Sequence, residues 1–180
     1  MVPLRLGSND LSSISGREIF FDTNVLLFLF SNVPPSLPYQ KREYSALFKR
    51  LLAKKNPLFV DIIVVSEFIN AWFGDEYKKA VVNGFSGNRK AFRDSADGRQ
   101  ILKEIYHETK AVLDQFQLTS QSWNKPDIVD QLTIDNCDFN DKFIIKICQN
   151  KKLVLLTDDK DFASAPIDIL TINKKLLDAS

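Results

Sequence analysis

Histidine occurs once in this chain of 180 residues, as His107, and cysteine twice, as Cys137 and Cys148. The cysteines lack C-x-x-C spacing and have no histidine beside them, which excludes a zinc framework and a disulfide scaffold. Reduced thiols in the cytoplasm are the expected state. His107 has no acid at triad-like spacing and reads as a structural or surface residue, so a Ser–His–Asp type of catalysis has no carrier here. No uncharged apolar run approaches the ~20 residues that a bilayer requires. Met1 to Arg17 is too polar for a signal peptide. A soluble chain with no membrane partner is expected. Charge of one sign is missing as well: 24 Lys and Arg against 23 Asp and Glu leave +1, which favours neither an acidic nor a basic partner. No internal repeat and no low-complexity tract interrupts the chain.

What is present is apolar mass. Hydrophobic residues make up 44% of the chain, with 14 Phe, enough to bury one sizeable core in a single domain. Glu18 to Phe21 reads as a short buried strand, with Val25 to Phe30 resuming as a helix or turn. A Pro-rich loop, Val33 to Pro38, precedes an amphipathic helix over Lys41 to Lys55, in which Tyr44, Leu47, Phe48, Leu51 and Leu52 recur at helical spacing. Leu58 to Val65 (LFVDIIVV) is rich in β-branched residues and reads as a strand, with the next helix starting near Ser66. Helical stripes follow over Arg99 to Phe116, Pro126 to Ile134 and Phe139 to Gln149. Leu153 to Leu156 and Asp168 to Ile172 read as strands. This alternation predicts an α/β fold, a three-layer α/β/α sandwich around a mainly parallel sheet. Residues 1–17 are expected to be an N-terminal extension and 18–180 the domain, with an insertion or mobile basic arm around 74–98.

In a parallel sheet the strand C-termini share one edge, and the N-termini of the returning helices lie along it too. Asp22 ends the first strand and Glu67 follows the second. Asp141 opens the helix that feeds the strand before Asp159. Each acid has an ordinary local explanation: Asp22 as a helix cap, Asp138 and Asp141 as an N-cap and N3 pair, Asp158, Asp159 and Asp161 as turn residues. Four carboxylates at one mouth, however, repel one another and weaken the fold unless cations neutralise them. Oxygen-only ligation without His or Cys suits Mg²⁺ or Mn²⁺ rather than zinc.

The stretches FFDTNVLL, VVSEFINA, DFNDKFIIKIC and LLTDDKDF, in this order and beside the expected strands, resemble the successive motifs of the PIN domain, a fold of metal-dependent ribonucleases that include VapC-type toxins. The resemblance spans Phe20 to Ile172. It implies that Asp22, Glu67, Asp141 and Asp159 are catalytic and bind the metal, that Asn24 and Thr157 support them, and that Asp138 and Asp161 are second candidates. It further implies hydrolysis of RNA to 5′-phosphate and 3′-hydroxyl ends, and the partners of such toxins: an antitoxin protein and a second copy of the chain.

An RNA substrate calls for positive charge near the acids. Asp75 to Lys103 holds seven basic and four acidic residues, a local +3, with Phe85 and Phe92 interleaved. Arg89, Lys90 and Arg93 are the expected RNA-binding residues, gripping a single strand by phosphate contacts while the rings stack on bases. The bland alternative for this stretch is a solvated helix face with its aromatics packed inward. Two rival functions stand beside the ribonuclease: a catalytically silent PIN-like interaction module, and a receiver-type phosphotransfer domain with an acidic Mg²⁺ pocket.

Overall fold

The computed structural model describes residues 3–31, 38–135 and 137–178. Six strands form one sheet: β1 (Arg5–Leu6), β2 (Ile19–Phe21), β3 (Leu58–Val60), β4 (Gln117–Leu118), β5 (Val154–Leu156) and β6 (Ile169–Leu170). Their order is β1-β6-β5-β2-β3-β4 and every pairing is parallel. Among the described residues eight α-helices connect or flank them: α1 (Thr23–Phe30), α2 (Pro38–Ala53), α3 (Ile62–Val82), α4 (Arg89–Asp94), α5 (Ala96–Leu113), α6 (Lys125–Val129), α7 (Phe139–Lys151) and α8 (Lys174–Leu177). This is the expected α/β architecture, with a sheet entirely rather than mainly parallel. Of the Pro-rich stretch, Pro38 opens α2 and the rest lies outside the described residues.

β2 sits at the centre because all three of its residues are apolar and fully buried. Phe21 packs edge-to-face on Phe116 and Phe48, with ring centroids 4.8 and 5.9 Å away. The chain leaves β2 toward β3 on one side and later returns with β5 on the other. That reversal opens a crevice beyond the strand C-termini, the place where α/β sheets bind ligands.

Two expected element bounds shift, those of LFVDIIVV and of the helix over Pro126 to Ile134. LFVDIIVV is not one strand: β3 ends at Val60, and Asp61 caps α3, its carboxylate accepting from the Ile63 N–H at 3.1 Å. The short strand and the 21-residue helix share a β-branched run, and the cap decides where one stops. The stretch around 74–98 forms the end of α3, a turn, α4 and the start of α5. Phe92 is buried against Phe73, Tyr77 and Phe85, so the aromatics face inward. Gly98 permits that packing, since a Cβ there would stand 1.9 Å from the Phe92 carbonyl oxygen. Within residues 1–17, β1 extends the sheet alongside β6, and Leu6, Leu11 and Ile14 join the core. Asn56 pins this segment by donating to the carbonyls of Ile14 (2.7 Å) and Arg17 (2.8 Å). The helix expected over Pro126 to Ile134 is short, ending at Val129.

Candidate active site

Asp22 follows directly on β2 and caps α1. Its Oδ1 accepts from the Thr23 N–H at 2.7 Å, and its Oδ2 accepts from the Thr157 hydroxyl at 2.5 Å and the Asn24 amide at 2.7 Å. Asn24 also donates to Thr157 (3.3 Å), and its Oδ1 accepts from the Asp158 N–H (3.2 Å). Asn24 and Thr157 thus tie the end of β2 to the end of β5. Burial pushes the Asp22 carboxyl up to about 6, against the pull of its Thr157 and Thr23 hydrogen bonds, and the charges of Glu67 and Asp159 push the same way.

Glu67 reaches this mouth from the second turn of α3, not from a strand junction as its sequence neighbourhood suggests. The Thr23 hydroxyl donates to its Oε2 at 3.1 Å. Asp159 arrives from the turn after β5. Its N–H donates to the Thr157 hydroxyl at 3.0 Å, and its Oδ1 accepts from the Asp161 N–H at 2.9 Å. Asp161 is exposed and is not among the charges that act on Asp22 or Asp141; it contributes its backbone to the turn.

Asp141 is different in kind. It is half-buried in the first turn of α7, and among the described residues its side chain has no hydrogen bond and no ion pair. Burial pushes its carboxyl up to about 7, followed by the charges of Asp22, Asp159, Asp138 and Glu67. The expected N-cap and N3 pair is not formed: Asp138 occupies the cap position, yet its side chain makes no capping hydrogen bond.

Asp22, Glu67, Asp138 and Asp159 thus all act on Asp141 at the C-terminal edge of the sheet, Glu67 and Asp159 act on Asp22 as well, and no Lys or Arg among the described residues pairs with any of these five carboxylates. They stand within electrostatic range rather than at ligand distance: no three His, Cys, Asp or Glu side chains among the described residues form a ready-made cage. Oxygen donors of this number, uncompensated by protein cations, nevertheless fit a hard divalent ion, for which like-charged side chains draw together only around the ion itself.

Tyr44 is a contributor that its sequence position conceals. It belongs to the apolar stripe of α2, but its single O–H proton is shared between the Thr157 carbonyl (3.0 Å) and Asp158 (2.9 Å), and its oxygen accepts from the Ile172 N–H (3.4 Å). It locks the β5 and β6 ends together. The available signal is general: a buried tyrosine needs a partner for its hydroxyl. His107 lies exposed on α5, away from any of these contacts.

A parallel sheet whose carboxyl edge gathers acids defines a class: α/β domains with an acidic, oxygen-donor site. Within that class the chain belongs to the PIN domain family, whose sequence model matches residues 19–167. PIN domains are generally nucleases and typically use divalent metal ions. β1 lies before the matched range. A comparison with curated proteins finds no match. No helix among the described residues is long and apolar enough to cross a membrane.

Proposed function

We propose that this protein is a metal-dependent endoribonuclease, with Mg²⁺ or Mn²⁺ held by Asp22, Glu67, Asp141 and Asp159. Asp138 is the next donor available, and Asp161 the more remote one. The observation that carries this reading is Asp141: a half-buried carboxylate facing four others, with no capping bond and no cation of its own among the described residues. A carboxylate that stabilises nothing in the fold points to a partner from outside it. A bound divalent ion supplies Lewis acidity and charge neutralisation at a phosphodiester.

The chain's own residues do the positioning. Thr157, Asn24 and the Thr23 N–H hold both Asp22 oxygens in one orientation, and Thr23 steers Glu67. Among the described residues the Asp141 and Asp138 side chains have no hydrogen-bond partner, which leaves them available to an ion. Positive charge stands to one side. Arg89, Lys90 and Arg93 line a groove with Asn70, Phe73 and Tyr106, and Asn70 also lines the neighbouring groove, with Ser66, Glu67 and Asn140. The basic groove thus leads toward the acids. Arg89 is partly committed, donating to the Asn70 carbonyl at 2.6 Å, and Arg93 pairs with Asp94 at 3.2 Å. Phosphate contacts fall chiefly to Lys90 and to the remaining donors of the two arginines. The exposed ring here is Tyr106, not the buried Phe92.

Covalently closed single-stranded RNA, incubated with Mg²⁺, Mn²⁺ or EDTA, tests the whole reading. Linearisation by the parent with metal, abolished by EDTA and by Asp141→Asn, is expected. An intact circle under every condition, with the chain folded, would leave the silent interaction module as the better account.

A further inference from the structure

On the side of the acids reached through Asn24 and Asp159 lies a second opening, a cleft of about 730 Å³ whose other lining residues include Tyr39, Lys160, Lys174 and Lys175. Its size falls in the range of sites that enclose small molecules. The three lysines are exposed, and none forms an ion pair among the described residues. Tyr39 is half exposed, and the Arg42 guanidinium lies 5.4 Å from its ring centroid. Beneath them the floor is fixed. The Asn173 amide donates to the Asp158 carbonyl at 2.6 Å, Asp158 is held by Tyr44, and the Asn173 N–H bonds the Thr171 hydroxyl at 3.0 Å. A cleft built this way needs little reordering when it is filled.

We infer that this cleft is a nucleotide subsite for single-stranded RNA, in which Tyr39 stacks on a base and Lys160, Lys174 and Lys175 take backbone phosphates. The inference rests on the nuclease reading for its substrate class and adds to it a grip on the second flank of the acids, opposite Arg89, Lys90 and Arg93. Three features select an extended strand over a free mononucleotide. The lysines outnumber the two lining aspartates, Asp158 and Asp159. The cleft opens directly onto the acid mouth through Asn24 and Asp159. Basic side chains combined with an exposed ring occur on both flanks of that mouth. Bases stack on aromatic rings irrespective of sequence, and lysines follow the phosphates, so a strand entering here is held without regard to base identity.

The test is fluorescence anisotropy of a short labelled single-stranded RNA with the full chain in EDTA, over a range of salt, beside a cleavage assay in Mn²⁺. Tyr39→Ala is expected to weaken binding about tenfold, while Tyr39→Phe binds as the parent does. Lys174→Ala with Lys175→Ala should flatten the slope of log K against log salt by about 0.7 for each lysine. Variants that all bind with the parent's affinity and slope would overturn the subsite, even if the parent cleaves RNA. A free mononucleotide competing as well as the oligonucleotide would overturn it too. Weakened binding in these variants, from a parent that cuts no RNA with any ion, would uphold the subsite and remove the nuclease reading instead.

Discussion

Two aspartates in this sheet hold almost the same local position. Asp22 follows the buried strand IFF and Asp61 the buried strand LFV, and each caps the helix that comes next. Both are nearly inaccessible, 5% and 4% exposed. Each accepts from a backbone N–H of its helix and from the hydroxyl of a threonine at the end of a neighbouring strand, Thr157 for Asp22 and Thr119 for Asp61. What differs is the surroundings. Asp22 lies where β5 and α7 bring further carboxylates, whereas Asp61 lies on the β4 side, with a hydroxyl and an amide as its partners. A strand-end aspartate is therefore a capping residue by default, and the crevice between β2 and β5 adds the second use.

The largest expected effect separates the two by activity. Asp22→Asn keeps the side-chain shape and removes the charge, so metal-dependent cleavage should fall by about a hundredfold or more, equivalent to ~3 kcal/mol of barrier. Asp61→Asn retains a good N-cap residue and should leave the rate within a factor of about two. Initial rates on one RNA in Mn²⁺ decide it. Equal losses would mean that both aspartates act through the fold alone.

That pair also shows how far a strand end is legible in the sequence. An apolar run broken by a polar residue marks a strand end at Asp22, and the same signal stands at Asp61. There, the β-branched Ile62 to Val65 outweighs it, because a buried helix start and a buried strand have the same composition over so few residues. Glu67 was expected at the mouth for a reason that does not hold: it comes from a helix turn, and packing of α1 against α3 brings it in. α7 and β5 were legible because their spacing is unambiguous and topology then fixes which end carries Asp141 and Asp159. β1 and β4 are two residues each, as β6 is, but lack an apolar run like the one that marks Asp168 to Ile172, and both residues of β4 are exposed. The tight α4–α5 corner depends on Gly98 meeting the Phe92 carbonyl, a contact that no periodicity records.

The threonines offer the next and smaller contrast. Thr157→Val removes a donor to Asp22 and an acceptor for the Asp159 N–H and the Asn24 amide, which loosens the residues that orient the site. A fall of about tenfold in ion affinity, read by Mn²⁺ titration, is expected. Thr119→Val removes only Asp61's hydroxyl partner. It should cost ~1 kcal/mol of stability in urea unfolding and leave ion affinity unchanged. Matching ion titrations for the two variants would dissolve the distinction between the two aspartates.

The smallest effect concerns pH, and it tests whether the carboxylates across from Asp22 are what set it apart. Asp22 and Asp141 have carboxyls raised to about 6 and about 7 from an ordinary value of 3.8, chiefly by burial and then by their acidic neighbours. A carboxyl raised in the folded state binds protons more tightly there than in the unfolded chain. Its contribution to stability is fully present below about pH 4 and is lost as pH rises through 6 and 7. Without metal, the thermal midpoint should fall between about pH 4 and 7 and level off above, opposite to the usual behaviour of a carboxylate held by cations. Asp141→Asn removes the group with the highest of these values together with one charge facing Asp22, so the variant's decline should be shallower. Excess Mn²⁺ should raise the parent's midpoint more at pH 8 than at pH 5, because the ion competes with protons for the same oxygens. Melting curves in EDTA and in Mn²⁺ from about pH 4 to 8 give the answer. A parent whose midpoint rises steadily from about pH 4 to 7 in EDTA would mean that the acids are neutralised by the fold itself, and Asp22 would then be no more than a second Asp61.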